Sequence, residues 1–201
     1  MKTRILVFAI AVIAIFSSVS YAQSTAENTD AILQKAYTQA AKEHKNVMVL
    51  FHASWCGWCK KMEASLNEPS IKKSFDDNYV ITWLTVLETK PEMKKNENPG
   101  AMELLTKYHG DKTGIPFFLI FDSNGKLLAD SFIRPAGASM DTQGDNMGCP
   151  ANAKEVAAFN ELLKQTSRIQ EPQLALIRER FAKNDEAPAH PAVVAKPASS
   201  R

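Results

Sequence analysis

Three cysteines in 201 residues are too few for a disulfide scaffold. With 45% hydrophobic and 23% charged residues, the chain can build a core of ordinary size without one. The four histidines, His44, His52, His109 and His190, stand at no ligand spacing from one another or from Cys149, so no metal site is expected. Internal repeats are lacking. Only one long apolar run occurs, Ile5 to Phe16, and it is shorter than the roughly 18–20 residues that span a bilayer. It follows Lys2 and Arg4 and precedes the small-x-small site Ser20-Tyr21-Ala22. Residues 1–22 therefore read as a signal peptide cleaved after Ala22 rather than as a membrane anchor. No cysteine near that site offers a lipid anchor. Cleavage removes two basic residues and leaves 22 basic against 22 acidic ones, so no basic field for nucleic acid survives. Export, to a periplasm or outside the cell, would place the cysteines where a thiol pair tends to be oxidised.

What the chain does carry is Trp55-Cys56-Gly57-Trp58-Cys59-Lys60. Two cysteines separated by two residues can close a disulfide only across a tight backbone turn. A helix start supplies it and puts the first cysteine at the positive end of the helix dipole, which favours thiolate. Val47 to Phe51 upstream reads as a buried strand, and Met62 and Leu66 downstream continue from Cys59 at helical spacing. The pair thus sits where a strand hands over to a helix, the context of a redox site.

The remaining pattern predicts a helix over Ala31 to Glu43 and, after the cysteine helix, a short one over Ser70 to Asp76 behind Pro69. A strand follows over Tyr79 to Leu87, then a loop over Glu88 to Pro99 and a helix over Ala101 to Tyr108. Ile115 to Phe121 and Lys126 to Ile133 read as an antiparallel hairpin about Asn124-Gly125. Arg134 to Pro150 reads as loop. A helix capped by Asn152 and Glu155 comes next, then a last helix from Pro172. Asp185 to Arg201 is Pro- and Ala-rich and reads as a disordered tail. Helices alternating with strands, closed by a hairpin, make an α/β chain with a mixed sheet flanked by helices.

A strand, W-C-G-W-C-K at a helix start, and Gly114-Ile115-Pro116 opening a hairpin together resemble the thioredoxin fold. The resemblance covers about Ala31 to Leu163, and within the family the chain looks like exported bacterial thioredoxin-like proteins rather than short cytosolic thioredoxins, with longer connections and an extra C-terminal helix. It implies a thioredoxin-like domain over 23–183, with 184–201 as the tail. It implies a cis bond before Pro116, with Ile115 left unpaired so that an extended substrate can add as a strand. Trp55, Gly57 and Trp58 would rim that strand. Two departures stand out. Trp58 occupies the place of the family's proline, and Leu50 the place of its buried acid, the proton acceptor for the second cysteine. By residue type alone, His52, Glu63 and Glu88 are candidates to replace that acid.

The chemistry expected is dithiol–disulfide exchange: Cys56, the more exposed sulfur, attacks, and Cys59 resolves the mixed disulfide. The thioredoxin-like Gly57, Lys60 and Gly114-Ile115-Pro116 favour a reductase. It needs no cofactor beyond the Cys56–Cys59 disulfide. Its partners would be client protein disulfides and a membrane thiol-transfer electron donor. A monomer is expected. One alternative is a static disulfide, although so short a loop gains little from one. Another is a non-catalytic binding or chaperone module using the Trp55/Trp58/Pro116 groove. Cys149 reads as a partly buried loop residue, with an accessory resolving thiol as the alternative. Lys60-Lys61 and Lys94-Lys95 read as solvated, with a docking patch for an acidic partner as the alternative.

Overall fold

The computed structural model describes residues 26–185. The expected signal at 1–22 and the stretch after Asp185 lie outside the described residues. Helix α1 spans Thr29–Glu43, capped by the Asn28 side chain accepting from Asp30 N. Strand β1 (Asn46–His52) leads to α2 (Gly57–Leu66), α3 (Pro69–Asp76) and β2 (Tyr79–Thr85). A 3-10 turn at Pro91–Asn96, helix α4 (Ala101–Lys107) and a second 3-10 turn at Gly110–Lys112 lead to β3 (Phe117–Phe121) and β4 (Leu127–Asp130). Two-residue strands β5 (Phe132–Ile133) and β6 (Asp145–Asn146) precede α5 (Ala153–Thr166) and α6 (Glu171–Ala182).

The main sheet has strand order β2-β1-β3-β4. β1 runs parallel to β2 and antiparallel to β3, and β4 is antiparallel to β3. β1 and β3 are buried on both faces, which is why they read as unbroken apolar runs. Met48, Leu50, Phe118 and Ile120 face α2, α3, α5 and α6 through Met62, Phe75, Phe159 and Phe181. Val47, Val49, Phe51, Phe117 and Leu119 face α1 and α4 through Ala36, Ala40 and Leu105. Phe159 centres the first layer, with Phe181, Phe118 and Phe75 ring centroids 4.9, 5.8 and 6.3 Å away. Trp83 is only half-buried, because β2 is a sheet edge.

Three sequence expectations need correction. The second hairpin strand does not run from Lys126 to Ile133 but breaks at Ser131. Ser131 Oγ accepts the Phe118 amide at 3.3 Å, and Asp130 Oδ1 accepts the Phe132 amide at 2.9 Å. Beyond that break Phe132 and Ile133 pair with β6 instead. The 134–150 stretch is correspondingly not plain loop. Arg134 closes it, with a bidentate pair to Asp130 at 2.7 and 2.6 Å and donation to Met140 O at 2.8 Å and to Thr142 O. Finally, Asn184, assigned to the tail, is buried: its Nδ2 donates to Ser65 Oγ at 3.1 Å and to Pro150 O at 3.1 Å.

Candidate active site

Chain geometry brings Cys56 and Cys59 together. β1 ends at His52, Cys56 N donates to Ala53 O at 3.1 Å, and Cys56 becomes the N-cap of α2. The two form a disulfide with Cα atoms 5.3 Å apart. As N-cap, Cys56 Sγ accepts the Cys59 amide at 3.0 Å. On reduction the same amide and the helix N-terminus would hold negative charge on Cys56, which favours its thiolate. Cys56 Sγ also lies 3.5 Å from Ile115 O. The sequence reading made Cys56 the more exposed sulfur. Here both cysteines are 3% exposed, packed with Ala53 and Ile115, and the N-cap position rather than exposure distinguishes Cys56.

The loop before Cys56 is held by residues the sequence did not link to it. The buried Glu88 carboxylate accepts Ser54 N and Ser54 Oγ, each at 2.7 Å. Next to it, Leu87 O accepts the Trp55 indole N–H at 2.7 Å. Leu87 has φ +55°, a left-handed conformation that costs a branched residue about 1–2 kcal/mol. Two adjacent residues past β2 thus fasten two adjacent residues before the cysteines. Glu88 is therefore committed to the loop.

His52 follows Leu50 at the two-residue strand period, so it points to the α2 side of β1. Its Nε2 lies 3.2 Å from Thr85 Oγ1, and its ring lies 5.1 Å from that of Trp83. Burial holds its pKa below the ordinary histidine value, while the carboxylates of Glu63 and Glu88 pull the other way. Leu50 itself is fully buried in the apolar core.

The bond between Ile115 and Pro116 is cis. β3 begins only at Phe117, and among the described residues neither Ile115 N nor Ile115 O makes a backbone hydrogen bond. A cleft of about 310 Å³ opens beside them, lined by Trp58, Ile115, Pro116, Met147, Gly148 and Cys149 among others. Trp58 is 48% exposed, with Lys61 Nζ 4.4 Å from its ring centroid. Lys61 is thus packed rather than simply solvated, and its Nζ also donates to Asn184 O at 3.0 Å. Trp55, 51% exposed, does not line this cleft. Gly57 is exposed at the turn between the cysteines. Cys149 is an unpaired, buried thiol that accepts from Asn184 Nδ2 at 3.4 Å, and burial pushes its pKa up to about 12.

Comparison with known proteins bears on this arrangement. Residues 27–123 match the family model described as Thioredoxin-like. The chain carries a thioredoxin-like domain. Over 100 residues it is 32% identical to the thiol:disulfide interchange protein DsbD of Photorhabdus laumondii, covering 49% of this chain and 15% of that protein. Over 106 residues it is 26% identical to the disulfide bond reductase DsbH of Chlamydia pneumoniae, covering 52% of this chain and 63% of that one. The chain thus spans less than two thirds of either relative's length. Among solved structures, a disulphide isomerase from Xylella fastidiosa aligns at 18% identity and a TM-score of 0.41, over 78% of this chain and 90% of that one. Within the thioredoxin-like domain lie β1, the cysteine pair, Glu88 and the cis proline. The cleft wall at Met147 to Cys149 lies beyond the matched residues.

Proposed function

We propose that this protein is an exported thiol–disulfide oxidoreductase that reduces disulfides in client proteins. The observation that carries this is the Cys56 sulfur at the N-cap of α2, accepting the Cys59 amide at 3.0 Å beside the unpaired Ile115. In the reduced protein the Cys56 thiolate attacks one sulfur of a client disulfide. That S–S bond breaks, a Cys56–client bond forms, and the departing client thiolate takes a proton. Cys59 gives up its proton and attacks Cys56 Sγ, releasing the second client thiolate and closing the Cys56–Cys59 disulfide. Two electrons and two protons pass to the client. A dithiol donor, for which a membrane thiol-transfer protein is the partner we propose, restores the starting state by the same exchange in reverse. The apolar run and cleavage site in residues 1–22 support a periplasmic or secreted location.

Trp58 and Ile115 would flank a client chain laid along the cleft, with Ile115 N and O as its backbone partners. The decisive experiment is trapping. Cys59→Ser cannot resolve, so mixing it with a disulfide-bonded client should accumulate a covalent adduct through Cys56, visible by mass. Cys56→Ser should give none. The exposed Trp55 and Trp58 favour one second reading, a binding module in which the cysteines play little part. Under it, Cys56→Ser would keep full client binding and effect, and no adduct would form.

A further inference from the structure

Asn146 stands opposite the cis-proline segment with all of its hydrogen-bonding capacity spent. Its Nδ2 donates one hydrogen to Gly114 O and the other to Pro116 O, both at 3.1 Å. Its Oδ1 accepts Ser131 Oγ at 2.7 Å and Gly148 N at 3.0 Å. A side-chain amide offers two donors and two acceptor sites, so none remains for solvent. The two carbonyls it holds belong to the residues on either side of Ile115. Both neighbours are pinned, while among the described residues Ile115 N and O make no backbone hydrogen bond, with Ile115 O 3.5 Å from Cys56 Sγ.

The chain builds a dedicated support for this side chain. β6 exists only to pair with β5, setting Asn146 opposite Phe132, and Met147 N donates to Ser131 O at 2.8 Å. The stretch that carries the chain out and back to β6 is closed by the pair between partly buried Arg134 and buried Asp130. Two residues past Asn146, Gly148 has φ +54°, and a Cβ there would come within 3.6 Å of Pro116 O. That is ordinary contact, so it is the left-handed backbone rather than want of room that calls for glycine here.

We infer that Asn146 is a positioning residue, which fixes the Gly114–Pro116 segment at the height where an extended client backbone pairs with Ile115. This rests on the exchange function proposed above and adds to it how peptide-borne disulfides are preferred over small ones. None of these Asn146 hydrogen bonds goes to a cysteine sulfur, so its effect falls on client binding more than on the reactivity of the cysteines.

Asn146→Asp tests it. The replacement keeps the size and one acceptor, but it loses both donors and turns an oxygen toward two carbonyls. The reduced protein would be assayed against insulin, a peptide-borne disulfide, and against the aromatic nitrobenzoate disulfide used to count thiols, which has no peptide backbone. With insulin, KM should rise at least about tenfold with kcat less affected, while the rate with the aromatic disulfide changes less than about twofold. Ser131→Ala, which removes the bond from the Phe118 amide and the bond to Asn146 Oδ1 but leaves both Asn146 donors in place, serves as the comparator for general loosening. It should shift KM by less than about threefold. Equal slowing on both disulfides, or an equal rise in KM in Ser131→Ala at matched melting temperature, would overturn the inference. So would an unchanged KM in Asn146→Asp with the wild type active. A wild type inert toward both disulfides would instead overturn the exchange function itself, and this inference with it.

Discussion

Removing the Glu88 carboxylate should loosen the loop that presents Cys56. In the folded protein this buried group accepts two hydrogen bonds of 2.7 Å from Ser54, two residues before the cysteine. Hydrogen bonds to a charged group contribute about 1.5–3 kcal/mol each. Ser54 is exposed, so water can serve its orphaned donors once the carboxylate is gone, and the loss falls toward the low end. Glu88→Ala should therefore cost about 3 kcal/mol in urea unfolding, a fall in Tm of about 6–12 °C for a domain of this size. Glu88→Gln keeps the volume and one acceptor, and it can donate to Ser54 Oγ, so it should cost only about 1 kcal/mol. Kinetics separate the loop role from proton transfer. If Glu88 took the Cys59 proton, Glu88→Gln would slow resolution of the mixed disulfide far more than its small stability loss explains. We expect resolution in Glu88→Gln within about threefold of wild type, since its hydrogen bonds commit it to Ser54. Unfolding of Glu88→Ala within about 0.5 kcal/mol of wild type would refute the reasoning.

Other expectations follow from the same structure. Phe159→Ala, at the centre of four packed rings, should cost about 3–5 kcal/mol in urea unfolding, and a loss under about 1 kcal/mol would contradict its central place. His52 titrates lower when folded than when unfolded because it is buried. Below about pH 6.5 the unfolded chain then binds a proton that the folded chain resists, so stability falls with falling pH, by at most about 1.4 kcal/mol per pH unit. His52→Gln should flatten that part of the curve between pH 7.5 and 5.5, and parallel curves for the two proteins would show that His52 is not its source. Cys149, buried and with its pKa pushed up to about 12, should resist iodoacetamide at pH 8 until denaturant is added. Rapid labelling of the native protein would reopen a redox role for it.

Much of the architecture was legible because its signals are local. β1 and β3 are covered on both faces and so spell unbroken apolar runs, and the Asn152–Glu155 capping box is written in four consecutive residues. The cysteine pair and Gly114-Ile115-Pro116 were legible as motifs. The structure sets them side by side, with Cys56 Sγ 3.5 Å from Ile115 O. What stayed hidden depends on partners far away in sequence. By residue type Glu88 is only one of three candidates for a proton acceptor, and its tie to the loop shows once the fold lays it against Ser54, thirty-four positions earlier. Asn146 sits in a polar stretch with no periodicity, and its meaning comes from Gly114 and Pro116. The break at Ser131 is a side chain replacing a ladder partner, which alternation of apolar residues does not encode. The equal burial of the two cysteine residues is likewise set by packing against Ala53 and Ile115.

The equilibrium reduction potential of the Cys56–Cys59 pair tests the central claim most directly. The protein lacking residues 1–22 would be titrated in thiol–disulfide buffers of graded potential, and its free thiols counted by mass shift after alkylation. Reversible opening near about −270 mV is the result expected for a reductase. A midpoint near about −120 mV would make the pair an oxidant of its clients, and a disulfide that never opens would contradict exchange altogether.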